Sequence, residues 1–140
     1  MRRDTLHLTL VFLGAATPAQ LAALRLAAGR VRAAPCEFVL DRLGCWRHNR
    51  IAWAGCEEPA PGLLKLQAAL SQSLVEAGFP AEERPFAPHV TLVRNARCGE
   101  LSPLEPPLRW RALEFSLVES DLSERGARYR VLDRWPLLDI

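Results

Sequence analysis

A chain of 140 residues has the size of one compact domain and no room for a second, so residues 1–140 read as a single domain. With 49% hydrophobic and 24% charged residues, it can bury a core, which excludes a disordered chain, a coiled coil and a collagen-like fibre. The formal net charge of +2 is too small to argue by itself for coating a nucleic-acid duplex. All basic residues but Lys65 are arginine, whose planar fork suits phosphate, although coding bias explains that usage equally well.

Met1-Arg2-Arg3 ahead of the apolar stretch Leu8 to Ala16 imitates a secretory signal, but Asp4, Thr5, His7 and Thr9 break it with the alternation of a half-buried strand. Leu6 to Leu13 is therefore expected as a strand with Leu6, Leu8, Leu10 and Phe12 on its buried face. Gly14 closes it, Thr17 caps a helix with Pro18 in its first turn, and Leu21, Leu24, Ala28 and Val31 recur at helical spacing up to Pro35. Glu37 to Leu43 and Arg50 to Gly55 read as two strands joined across Gly44 to Asn49, with Phe38, Leu40, Ile51 and Trp53 packing inward.

Pro59 and Pro61 precede a second helix striped by Leu63, Leu66, Leu70 and Leu74 and ended by Gly78. A strand from His89 to about Arg94 follows, then a proline-rich loop through Pro107. Two more strands, near Leu108 to Ser120 and Arg128 to Leu137, flank a turn at Ser123-Glu124-Arg125-Gly126. The order predicts an α+β fold in which one half repeats the other. The four cysteines, Cys36, Cys45, Cys56 and Cys98, have no framework spacing and are expected as free thiols of a cytoplasmic protein. A zinc set of Cys36, Cys45, His48 and Cys56 lacks a second paired ligand step, so no metal or other cofactor is expected. No apolar run is long enough to span a membrane.

The repeat carries the chemistry. Leu6-His7-Leu8-Thr9-Leu10 and Pro88-His89-Val90-Thr91-Leu92 share the pattern His-x-Thr-Leu, their histidines 82 residues apart. Residues two apart on a strand share a face, so each copy presents an imidazole and a hydroxyl. A single copy is most simply structural; two copies in matching positions are harder to explain that way. Converging across a central cleft, they suit attack on a phosphate diester: one imidazole takes a proton from water, the other protonates the departing oxygen, and Thr9 and Thr91 hold the non-bridging oxygens. Arg94 could add fixed positive charge, but strict alternation puts it on the face opposite His89. The third histidine, His48, lies in the polar stretch Arg47 to Arg50 and reads as a solvated loop residue. Phe12 and Phe86 flank the motifs and are candidates for stacking on a base or for core packing.

These motifs, with Arg84-Pro85-Phe86-Ala87 before the second one, the Leu43-Gly44 to Ala52-Trp53 hairpin, Ser120-x-Leu122, Gly126-x-x-Tyr129 and Trp135-Pro136-Leu137, resemble the two-histidine phosphoesterases. Within them, the closest likeness is to the RNA 2′,3′-cyclic phosphodiesterases, or 2′-5′ RNA ligases. The resemblance implies a bilobal, pseudo-twofold fold of two antiparallel sheets with flanking helices. It also implies opening of a 2′,3′-cyclic phosphate on an RNA end or nucleotide to a 2′-phosphate, with reversible 2′-5′ ligation as an accompanying activity. By that likeness His89 is the base and His7 the acid, while Thr9, Thr91 and Arg94 bind phosphate; a near-symmetric site leaves the acid and base open from the residues alone. A non-catalytic RNA-end or nucleotide-binding module of the same fold is the alternative. Family members begin with a further strand and helix ahead of the first motif, which implies a shortened lobe with an open edge and self-association through it.

Overall fold

The computed structural model describes residues 5–58, 60–99, 103–123 and 126–139. The expectations that fall on Met1 to Asp4, Pro59, part of the proline-rich loop and the tip of the 123–126 turn lie outside them. The order is α1 (Pro18–Gly29), β1 (Cys36–Leu40), β2 (Arg42–Trp46), β3 (Ile51–Gly55), α2 (Pro61–Glu76), β4 (His89–Val93), β5 (Leu108–Ala112), β6 (Glu114–Ser123) and β7 (Gly126–Pro136). The fold is α+β and every strand pairing is antiparallel.

Among the described residues the strands form three antiparallel sheets where two were expected: β1 with β5, β2–β3–β4, and the hairpin β6–β7. The stretch expected as one strand from Glu37 to Leu43 divides at Asp41, whose carboxylate accepts the Glu57 N–H at 2.9 Å. β1 then pairs with β5, while β2 turns back on β3. Leu108 to Ser120 likewise divides at Leu113, so that β5 and β6 serve different sheets. Alternation within each strand is legible in the sequence, whereas a change of partner in mid-stretch depends on residues far away in the chain.

Helix α1 starts as expected. Thr17 Oγ1 accepts the Gln20 N–H at 3.2 Å and Gln20 Oε1 accepts the Thr17 N–H at 2.8 Å, a reciprocal cap ahead of Pro18. Helix α2 links two hydrophobic clusters. Leu66, Leu70 and Leu74 pack with Leu24, Ala27, Ala28, Phe115 and Leu137; Leu63, one turn earlier, packs with Cys36, Phe38, Leu40 and Val90. One leucine stripe therefore joins the two lobes.

The segment Leu6 to Leu13 is not a regular strand. Its β-pairing among the described residues is one isolated antiparallel bridge, Leu8 with Val90. Leu8 and Leu10 pack inward, but Val11 and Leu13 do so too, against the other cluster. This breaks strict alternation and leaves Leu6 43% and Phe12 80% exposed. Two core clusters on either side of the segment twist it out of phase.

Cys45 and Cys98 form a disulfide with Cα atoms 5.6 Å apart, which corrects the expectation of four free thiols. The end of β2 and the loop after β4 meet only in the folded chain. Cys36 and Cys56 remain free. Burial pushes both thiols up, with Asp41 adding to the effect on Cys56. Among the described residues no helix is long and apolar enough to cross a membrane.

Candidate active site

The two His-x-Thr segments touch at the centre of each motif. Leu8 and Val90, the bridged pair, both turn toward the β1–α2 cluster. Neighbours in extended backbone point the opposite way, so His7, Thr9, His89 and Thr91 face away from that core together. One step out from the bridge sets His7 across from Thr91 and Thr9 across from His89. The bridge therefore sets His7 and His89 diagonally across the pairing, each opposite the threonine of the other motif. His7 and Thr9 are exposed, and His89 and Thr91 are half-buried.

The two histidines are held alike. His7 Nδ1 donates to the Thr5 carbonyl at 2.7 Å, and His89 Nδ1 donates to the Ala87 carbonyl at 2.8 Å, each two residues back along the chain. A carbonyl can only accept, so the proton sits on Nδ1 and Nε2 is left to exchange protons with a substrate. Each ring also meets an aromatic edge. Tyr129 on β7 lies 5.0 Å from His7 between ring centroids, and Trp46 on β2 lies 4.7 Å from His89, both T-shaped. These contacts fix how each imidazole is turned and place the site between the β2–β3–β4 sheet and the β6–β7 hairpin.

Two glycines make room for the aromatic wall beside His89. A Cβ on Gly44 would overlap the Trp53 ring, and one on Gly55 would come within 2.8 Å of it. Trp53 therefore lies flat across the sheet, with Trp46 against it at 5.5 Å and the Arg42 guanidinium 5.8 Å from its centroid. Helix α2 steadies the first motif through Gln67, whose amide donates to the Leu10 carbonyl at 3.4 Å.

The geometry around Arg94 answers the objection raised by alternation. Thr91 pairs with Trp53 but Val93 pairs with Ala52, so Leu92 is an extra residue on β4. A bulge shifts the phase of everything after it by one, which brings Arg94, just past the strand end, into phase with His89 and Thr91. It is exposed. Phe86 is half-buried against the Leu63–Val90 cluster, in the packing role, whereas Phe12 projects into solvent without a ring partner among the described residues. His48 is exposed, its ring 6.5 Å from Trp46.

A cavity of about 330 Å³ between α2 and residues 80–86 is lined by Val11, Gln67, Ser71, Arg84 and Phe86 and contains neither imidazole. No three His, Cys, Asp or Glu side chains gather into a metal-holding group among the described residues, and the bonded Cys45 cannot serve the zinc set weighed from the sequence. Sequence offers no signal for Trp46 or Gln67, since a tryptophan on a strand and a glutamine on a helix read as packing and solvation. It marks Tyr129 only through the family resemblance.

The family model described as the 2′-5′ RNA ligase superfamily matches residues 1–127. The RNA 2′,3′-cyclic phosphodiesterase of Escherichia coli (strain K12) is 38% identical over 137 residues, 96% of this chain and 77% of that protein. The crystal structure of E. coli LigT in apo form superposes with a TM-score of 0.91 at 35% identity, covering 99% of this chain and 80% of the other. The structure of E. coli LigT complexed with 3′-AMP gives 0.89 at 35% identity over 97% and 79%. With paired His-x-Thr segments joined at their central residues and a family match across nearly its whole length, this chain belongs to the 2′-5′ RNA ligase superfamily of two-histidine phosphoesterases.

Proposed function

We propose that the protein opens the 2′,3′-cyclic phosphate at an RNA end or on a nucleotide to a 2′-phosphate and a free 3′-hydroxyl, by acid–base catalysis at His7 and His89. The observation that supports this reading is the Leu8–Val90 bridge, which joins the centres of the two His-x-Thr motifs.

In the forward reaction His89 Nε2 takes a proton from water as its oxygen bonds to phosphorus. The bond from phosphorus to the 3′-oxygen breaks, and His7 Nε2 gives that oxygen its proton. One water is consumed, and the two imidazoles return to their starting states by proton exchange with solvent. Diagonal placement suits an in-line displacement, in which the entering and leaving oxygens lie on opposite sides of phosphorus. Thr9 and Thr91 donate to the non-bridging oxygens, and Arg94 offsets the charge that gathers there in the transition state. When a 5′-hydroxyl of another strand attacks phosphorus in place of water, the same groups take its proton and return one to the departing 3′-oxygen, leaving a 2′-5′ phosphodiester, and this accounts for ligation.

Incubation with a 2′,3′-cyclic mononucleotide, followed by separation of 2′- and 3′-phosphate products, tests the reading. The 2′-phosphate is expected, with turnover persisting in chelator. Tight binding without ring opening would support a nucleotide-binding module instead, and a 3′-phosphate product would reverse the orientation of the substrate between the histidines.

A further inference from the structure

The net charge of +2 conceals a strong polarity. The strands β2, β3 and β4 with their connecting turn and the first six residues of the following loop, residues 42–55 and 89–99, contain Arg42, Arg47, Arg50, Arg94 and Arg97 and no aspartate or glutamate, with Asp41 and Glu100 just outside their ends. The rest of the chain holds the other 13 basic residues against all 16 acidic ones, a net of −3. Ion pairing sharpens the contrast. The pairs among the described residues, Arg25 with Asp133, Arg130 with Glu119 and Arg134 with Glu114, all belong to α1 and the β6–β7 hairpin. Arg47, Arg94 and Arg97 are exposed and face no carboxylate among the described residues.

The turn and the loop form one rim. Arg50 Nε and Nη2 donate to the Ala96 and Asn95 carbonyls at 3.3 and 3.4 Å, the Ala96 N–H returns to the Arg50 carbonyl at 2.8 Å, and the Cys45–Cys98 bond closes the join. Between this rim and the site lie aromatic rings. Trp53 pairs across from Thr91 and so shares the face of His89, and Trp46 bridges from His89 toward His48. Cations along an edge with flat rings leading inward match the way single strands are bound, phosphates on arginine and bases on aromatic faces. From His89 to the end of β4 the strand advances about 13 Å, room for the chain to extend beyond the reacting nucleotide.

A 2′,3′-cyclic phosphate terminates an RNA chain, so the remainder of that chain must leave the site in one direction. We infer that it leaves across the β2–β3–β4 sheet, with Trp46 under a base and Arg47 and Arg97 neutralising phosphates. Single-stranded oligoribonucleotides are then preferred over mononucleotides. This inference rests on the phosphodiesterase reading and goes beyond it by naming the surface that selects the longer substrate.

The test compares a 2′,3′-cyclic mononucleotide with a tetranucleotide carrying the same 3′ end, over a range of salt, in the wild type and in the double variant Arg47→Gln/Arg97→Gln. The tetranucleotide is expected to show a kcat/KM about tenfold higher at low salt. Its logarithm should fall against that of salt more steeply than the mononucleotide's by about 0.7 for each phosphate contact, or about 1.4 for two. The double variant should lose both the advantage and the extra slope while opening the mononucleotide at the wild-type rate. Equal kcat/KM and equal slopes for the two substrates would overturn the inference and leave the phosphodiesterase reading standing, as would a double variant that keeps the tetranucleotide advantage. Failure to open either substrate would instead bring down the reading on which it rests.

Discussion

At His7 and His89 the same local device appears twice: Nδ1 bonded to the carbonyl two residues back, an aromatic ring against the edge, and Nε2 left free. Both bonds span two residues along the chain, which explains how one motif yields the same tautomer in both lobes. Changing either histidine to alanine is expected to lower kcat by about 10²–10⁴ with little change in melting, since neither side chain is in a core cluster. Near-normal turnover in either variant would remove the two-histidine mechanism. Gly44 is a second residue whose identity is dictated locally. A methyl group there meets the Trp53 ring, so Gly44→Ala should cost about 1–3 kcal/mol of stability in denaturant unfolding and disturb Trp46 beside His89. An unchanged midpoint would mean that the Trp53 ring moves aside freely.

Among the elements, those governed by their own residues were legible and those governed by distant partners were not. Helix α1 follows from Thr17, Pro18 and a helical apolar repeat, and Thr17→Ala should cost about 0.5–2 kcal/mol by removing the cap, read as a lower denaturant midpoint. The leucine stripe of α2 likewise emerges as expected, all four residues buried. Leu6 to Leu13, by contrast, has the alternation of a strand but is pulled out of phase by two cores, and Phe12 is left in solvent. Arg94 carries the same lesson in the other direction. Alternation sets it against His89, and one extra residue on β4 brings it back. A bulge has no signature in the motif itself, because it depends on where Ala52 and Trp53 sit across the ladder.

For the whole molecule, the Cys45–Cys98 bond closes a separation of 53 residues and restrains the unfolded chain. Replacing both cysteines with serine should lower stability by about 2–4 kcal/mol. Thiol titration of the denatured chain should find two groups without reductant and four with it; four without reductant would show the bond open. The raised Cys36 and Cys56 thiols remain protonated at neutral pH, so alkylation of the folded protein should be slow there and accelerate only above the ordinary thiol range. Residue order alone determined the reactive groups, the two helices and the presence of two matched halves, because these follow from side-chain chemistry and from periodicities only a few residues long. Folding in three dimensions decided which segments pair, that Trp46 and Tyr129 flank the imidazoles, that two cysteines bond, and that Arg42 on β2 and four arginines of the adjoining turn and loop gather at one sheet. Each of those depends on contacts between residues tens of positions apart, whose closeness no local pattern encodes.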